Sequence, residues 1–324
     1  MSRKLITIST IMTLMSTSVI ADVPNVAADI APIHSLVSRV MDGVGAPKLI
    51  VQSGASPHGY RLRPSEAKAL QDADHVFWMG EELTPWLDSA IGTLASKASV
   101  TTLLDQQGVI LHDFREGALF EAHDHSAHGD DDHDDHDDHD DHDDHKDHDD
   151  HDDHGSHDPH AWLSPENAKL WLNIIASKLS VSDPENAATY FMNAAAGQAE
   201  IEAMIAEVKA TLKPVQGGKF VVFHDAYQYF ENDFDFYASG AISLGDSSDP
   251  SPARIEKVQK RIRDEGIQCV LAEPQFKKGL VATVMEGSDA TASVIDPLGA
   301  ELETGPKLYT RLIKNMAKTL RNCL

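Results

Sequence analysis

The stretch "DPENAATYFMNAAAGQAEIEAMIAEVKATLKP", Asp183 to Pro214, decides how the rest of the chain is read. Asp183-Pro184 reads as a helix start, and a helical pattern then runs unbroken to Lys213, where Pro214 stops it. About 28 residues at the standard rise make a rod of roughly 42 Å, longer than a single small domain needs. Such a rod is expected to be a spine between two lobes, so each flank should carry a lobe of its own.

Both flanks do. Before the rod, Val23–Ile30 reads as a strand, Pro32–Val44 as a helix with Leu36, Val37 and Val40 inward, and Lys48–Val51 as a second strand. The loop "SGASPHGYRLRPSEAKAL" follows and turns helical at Pro64; then come the buried strand "ADHVFWMG", the helix "EELTPWLDSAIGTLAS" and the strand "SVTTLL". After the rod the series repeats: "KFVVF", "DAYQYFEND", "DFYASGAIS", "SPARIEKVQKRIRDEG", "IQCVLAE", "FKKGLVATVMEG", "ATASVID" and a terminal helix from Pro306. Strand–helix alternation predicts α/β lobes with mainly parallel sheets covered on both faces. The expected division is 1–21 signal, 22–182 first lobe, 183–213 linking helix and 214–324 second lobe, with a cleft between lobes as the default ligand site.

One segment breaks the pattern. Residues 112–159 have few apolar side chains and no period, so they are expected to be a disordered loop. Within them "DDHDDHDDHDDHDDHKDHDDHDDH" runs from Asp131 to His154. The formal net charge of −25 is largely local: between Glu121 and His160 lie eighteen Asp, one Glu and one Lys, leaving −7 for the rest. No basic cluster remains to draw nucleic acid or anionic lipid. Order is expected to resume at "HAWLSPENAKLWLNIIASKLS", with Ser164 as cap and Pro165 at the first helical position.

The ends of the chain bear on its compartment. Arg3 and Lys4 precede an almost uncharged stretch, Leu5 to Ile20, which closes on Val19-Ile20-Ala21. This reads as a cleaved secretory signal, too short and hydroxyl-rich for a comfortable membrane span. A soluble periplasmic protein, without stable membrane insertion, is the expectation. The two cysteines, Cys269 and Cys323, then suggest one disulfide, and neither stands in a CxxC pair.

Five histidines lie outside the Asp/His segment: His34, His58, His75, His112 and His224. His58 follows the second strand, His224 ends "KFVVF", His160 closes the irregular segment and Asp296 ends "SVID". Ligands of open α/β sheets gather at the carboxyl ends of strands. Three imidazoles and one oxygen suit Zn²⁺, whereas Mn²⁺ and Mg²⁺ prefer more oxygen donors. From position alone, hydrogen-bonding histidines remain an equal or better reading. His34 could edge the cleft, His75 reads as structural, and His112 could join the loop's chelating set. Trp162 and Tyr227 read equally as walls of a site or as core.

Five motifs in order, "SGASPHGYRLRPSEAKAL", "HAWLSPENA", "FHDAYQYFE", "AEPQF" and "DPLGAEL", resemble the metal-binding solute receptors of ABC importers, in particular the periplasmic zinc receptors (ZnuA type). The resemblance spans nearly the whole mature chain. It implies two lobes joined by a rigid helix, Zn²⁺ held between them by His58, His160 and His224, and no enzymatic activity. It also implies an inner-membrane zinc ABC permease as partner, a monomer, and pairing of Cys269 with Cys323. Asp296 matches a position where relatives use a carboxylate, which makes it the candidate fourth ligand. One departure stands out: some zinc receptors have Glu before the first ligand histidine, and here that residue is Pro57, so Asp296 or water must fill the fourth position.

A three-residue period does not match the helical 3.6, so the run is expected to be an extended, polydentate chelator or sensor of zinc. Its histidines are His123, His125, His128, His133, His136, His139, His142, His145, His148, His151, His154 and His157. A periplasmic zinc buffer or chaperone without import is the rival reading. A zinc hydrolase is a further rival, but no HExxH or Gly-x-Ser-x-Gly motif occurs.

Overall fold

The computed structural model describes residues 23–115, 120, 157–243, 245, 250–275 and 278–324. The expected signal at 1–21 and the histidines from His123 to His154 lie outside the described residues. Two four-stranded sheets are present. The first holds β1 (Val26–Ala28), β2 (Lys48–Leu49), β3 (His75–Trp78) and β4 (Ser99–Thr102) in the order β2-β1-β3-β4. The second holds β5 (Phe220–His224), β6 (Ala241–Ser243), β7 (Cys269–Ala272) and β8 (Thr291–Val294) in the order β6-β5-β7-β8. Every strand pair in both is parallel, and the two sheets share one topology.

Parallel strands buried on both faces read as continuous apolar runs, and "FVVF" is one. Along β5, Phe220 and Val222 face the central core while Val221 and Phe223 face the outer layer. Along β7, Cys269 and Leu271 face inward and Val270 outward. Helices α2 (Pro64–Gln71) and α3 (Pro85–Leu94) cover the outer face of the first sheet, with Leu70, Leu87 and Ile91 over Ile50, Val76 and Trp78. Helices α7 (Pro252–Glu265) and α8 (Lys278–Met285) do the same for the second, through Val258, Ile262, Val281 and Val284.

The inner faces share one core with α1 (Ala31–Val40), α4 (Pro165–Ser182), α5 (Ala187–Leu212) and α9 (Leu308–Cys323). The long helix is α5, 26 residues or about 39 Å, and it packs on α4 and α1 before it and on α9 after it. Its start differs from expectation. Asp183 ends α4 instead, its N–H donating to Leu179 O, while Pro184 prevents continuation. The Asp183 carboxylate accepts from Asn186 Nδ2 (2.8 Å) and the Tyr190 hydroxyl (2.7 Å), which fixes the turn into α5. Midway along α5, Gly197 lets the layers close: an added Cβ would stand 2.9 Å from Leu172 Cδ1 and 3.1 Å from Arg39 Cγ.

The two halves of the chain are tied at several points. Ser35 Oγ donates to Gly305 O (2.7 Å), Tyr309 Oη donates to Trp162 O (2.9 Å) and Trp162 Nε1 donates to Pro297 O (2.8 Å). Cys269 and Cys323 are joined, with Cα atoms 5.6 Å apart, which pins the end of α9 to the start of β7. Among the described residues no helix is long and apolar enough to cross a membrane.

Candidate metal centre

Three segments far apart in sequence deliver three imidazoles to one place. His58 sits half-buried in the loop between β2 and α2; His160 precedes the 3-10 turn Ala161–Leu163; His224 is the last residue of β5. One ligating nitrogen of each lies within 4.8 Å of the others, a grouping found among the described residues. The Nε2 atoms of His160 and His224 are 3.4 Å apart. Two nitrogens at about 2.0–2.1 Å from a tetrahedral Zn²⁺ would be about 3.3–3.4 Å apart, so this pair is already spaced for such an ion.

What aims those rings was not foreseen from the motifs. His160 Nδ1 is 2.6 Å from Asp158 Oδ1, and His224 Nδ1 is 2.5 Å from Glu273 Oε1. Both carboxylates are buried, at 1% and 2% exposure. A carboxylate that accepts the Nδ1 proton fixes the tautomer and leaves the Nε2 lone pair for a metal. Glu273 is itself held by Gln275 Nε2 (2.8 Å), and Asp158 accepts the backbone N–H of His160 (3.0 Å). Glu273 directly follows β7, so it faces His224 across the gap between β5 and β7. This is the point where the strand order reverses and where ligands of such sheets collect.

Burial pushes the Asp158 carboxyl up to about 7, against the pull of the His160 N–H and the nearby Arg115 charge. A divalent cation at the imidazoles would draw it back toward its ionised form. Next to His224, Asp225 shares the Arg115 guanidinium with Glu231, at 3.0 Å from Arg115 Nε and 2.6 Å from Nη1 respectively. Burial raises both carboxyls above the ordinary range even with that guanidinium beside them.

Asp296 is not one of the grouped residues. Its Oδ1 accepts the N–H groups of Leu298 (3.0 Å) and Gly299 (2.8 Å), and its Oδ2 accepts that of Ala300 (2.5 Å). Those bonds build the turn after β8. Trp162 lies 5.2 Å from the His160 ring and Tyr227 6.3 Å from the His224 ring, so both stand beside the centre. Burial raises the Tyr227 hydroxyl well above its ordinary value, and the Glu273 and Asp296 carboxylates add to the shift.

The other described histidines are engaged elsewhere. His34 is buried in α1, with Nε2 3.2 Å from Pro47 O and Nδ1 3.4 Å from Ser38 Oγ, and burial lowers its pKa. His75 Nε2 meets Ser182 Oγ at 2.7 Å. His112 lies against the Tyr229 ring, 4.7 Å between centroids, and His157 Nδ1 pairs with Asp113 Oδ1 at 2.8 Å. Asp113 and His157 form an antiparallel bridge that brings together the two sides of the Asp/His segment.

A family model described as "ZnuA: Zinc-uptake complex component A periplasmic" matches residues 26–323. The chain belongs to the ZnuA family. A high-affinity zinc uptake system protein ZnuA of Brucella abortus is 49% identical over 304 residues, covering 92% of this chain and 91% of that one. The protein of the same name from Paracoccus denitrificans is 44% identical over 305 residues, covering 94% and 93%. A crystal structure of a ZnuA superposes with a TM-score of 0.71 at 21% identity, covering 93% of this chain and 99% of that one. A ZnuA deletion mutant with zinc bound gives 0.70 at 21% identity, with 93% and 98% covered. These two structures share the fold of this ZnuA-family chain.

Proposed function

We propose that the chain is a periplasmic solute-binding protein that captures Zn²⁺ with His58, His160 and His224 and delivers it to an inner-membrane ABC permease for import. The observation that carries this reading is the convergence of three imidazoles, two backed by buried carboxylates. Membership of a family described by zinc uptake supports it. In this reading residues 1–21 are a cleaved signal, 22–182 and 214–324 are the lobes, and 183–213 join them. The receptor works as a monomer and catalyses no reaction; zinc-loaded protein is expected to be inert in hydrolysis assays.

The fourth coordination position falls to Asp296 or to water. Asp296 would have to reach the ion while accepting three backbone N–H groups, or release some of them. The Asp/His run, His123 to His157, serves as an auxiliary chelator or sensor, its many imidazoles giving it a capacity beyond one ion. Deleting residues 121–155 is expected to leave one tight equivalent by calorimetry.

The decisive variant replaces His58, His160 and His224 together by Ala with the acidic run intact. It should lose the tight first equivalent, and anomalous diffraction at the zinc edge on metal-loaded wild type should place one ion among the three rings. Unchanged first-equivalent affinity in the triple variant sinks the reading. Import, as against buffering, is tested by growth of a receptor-deficient strain under zinc limitation, which the wild-type chain should restore and the triple variant should not.

A further inference from the structure

Four tyrosines are buried among the described residues, and three of them use the hydroxyl in the same way. Tyr190 Oη donates to Asp183 Oδ2 at 2.7 Å, Tyr229 Oη to Asp158 O at 2.7 Å and Tyr309 Oη to Trp162 O at 2.9 Å. Tyr227 differs. It is 2% exposed, and among the described residues its hydroxyl is shielded from solvent without making a hydrogen bond. Native folds rarely leave a buried hydroxyl so, because the group has given up water and gained no partner. Packing beside the metal centre needs only the ring, which Phe would supply as well. A donor without an acceptor at this place marks where a further oxygen belongs.

The surroundings of the hydroxyl say which oxygen. Tyr227 stands three residues after His224, its ring 6.3 Å from that imidazole. The charges of Glu273, directly after β7, and of Asp296, two residues past β8, both act on the hydroxyl. It therefore lies where three strands end, beside one imidazole of the centre. Glu273 already accepts from His224 Nδ1 at 2.5 Å and Gln275 Nε2 at 2.8 Å, and Asp296 accepts three backbone N–H groups. On the reading that the three histidines hold the metal, we infer that Tyr227 is a positioning residue for the fourth ligand, its O–H donating to the oxygen, of Asp296 or of water, that completes the Zn²⁺ site. Three neutral imidazoles bring no charge to the ion, so that oxygen is the ligand the cation polarises most, and a hydrogen bond to it is charge-assisted. The bond forms only when the oxygen is in place. It strengthens the zinc-bound protein and contributes nothing to the metal-free one.

The test is Tyr227→Phe, which keeps the ring and removes the hydroxyl. Full-length mature protein is titrated with Zn²⁺ against a competing chelator, with the His58/His160/His224 triple-alanine chain as the baseline for the Asp/His run. A hydrogen bond to a charged acceptor predicts a first equivalent about tenfold weaker in Tyr227→Phe. The visible bands of protein loaded with half an equivalent of Co²⁺ should shift, because the oxygen donor changes. The metal-free variant should melt at the wild-type temperature or above, since no protein group loses a bond. That readout separates positioning from a structural role, because a hydroxyl bonded to Glu273 would cost the metal-free protein stability when removed. Binding within twofold of wild type with an unchanged Co²⁺ spectrum overturns the inference, as does weaker binding accompanied by a lower metal-free melting temperature. If the triple-alanine chain keeps the tight first equivalent, the three-histidine reading itself fails and this inference falls with it.

Discussion

If the three imidazoles hold the metal as proposed, replacing Glu273 asks whether its carboxylate supports them. Glu273 is 2% exposed, with Oε1 2.5 Å from His224 Nδ1 and Oε2 taking Gln275 Nε2 at 2.8 Å. Glu273→Gln keeps an oxygen that can accept the Nδ1 proton but loses the charge. The difference between a charge-assisted and a neutral hydrogen bond is about 1 kcal/mol, so zinc affinity should fall about fivefold. Glu273→Ala leaves the Nδ1–H buried without that acceptor, at a further cost of about 1–3 kcal/mol. It also frees the ring to take the other tautomer, whose Nε2 carries a proton and cannot bind metal. The expected loss is about 10- to 100-fold, the usual range for a partner behind a ligand histidine. Competition against a chelator at pH 7.5 reads the first equivalent, with the triple-alanine chain as the baseline for the Asp/His run. If Glu273→Ala binds within twofold of wild type and melts at the same temperature, the metal is not held through His224 Nε2 in the tautomer described.

Three further outcomes follow from the same structure. Replacing Cys269 and Cys323 by Ser opens a link across 54 residues and should lower unfolding free energy by about 4 kcal/mol in urea, leaving zinc stoichiometry intact. Asp29 is fully buried, and burial raises its carboxyl from 3.8 to about 7. The unfolded chain therefore releases this proton first, and its contribution to stability is present at low pH and lost as pH rises from about 4 to about 7; the pH dependence of metal-free stability over that window should flatten in Asp29→Asn. Imidazolium does not bind metal, so zinc affinity should drop steeply below about pH 6, whereas a flat titration from pH 7.5 to 5 would exclude histidine ligation.

The fold was legible because its signals are local. Strand–helix alternation, Pro at first helical positions and the α5 pattern each arise within a short window. Asp183-Pro184 misled because a helix stop and a helix start use the same residues: the pair ends α4, and α5 begins four residues later at Ala187. The three histidines were legible as strand-end and loop-end groups, a matter of topology. Asp158 and Glu273 were less so. Asp158 stands two residues before His160, within reach of its ring, and spacing alone could have marked it. Glu273 contacts His224 across 49 residues, and its only local signal was an acid immediately after a buried strand. Asp296 has that same signal yet spends its oxygens on backbone N–H groups. An acid at a strand end is therefore an ambiguous mark until the neighbouring backbone is known.

The shared strand order of the two sheets bears on where the grouped imidazoles come from. Residues just after β1 and β3 stand at the same edge of their sheet as those at the ends of β5 and β7 do of theirs. In the second sheet, His224 and Glu273 occupy those places and face each other across the reversal point. In the first, Ile30 is the residue opposite Met79, and Asp29 beside it ties the gap by accepting the N–H of Ile30 and the N–H of Met79, both at 2.7 Å. The first sheet thus spends the acid at its crevice on backbone N–H groups. Its contribution to the centre must come from a connection outside the crevice, and the loop after β2 is the one that carries His58. The asymmetry of the centre, two buried imidazoles backed by carboxylates and one carried on a loop, thus follows from one topology used twice, open to a ligand in one sheet and sealed in the other.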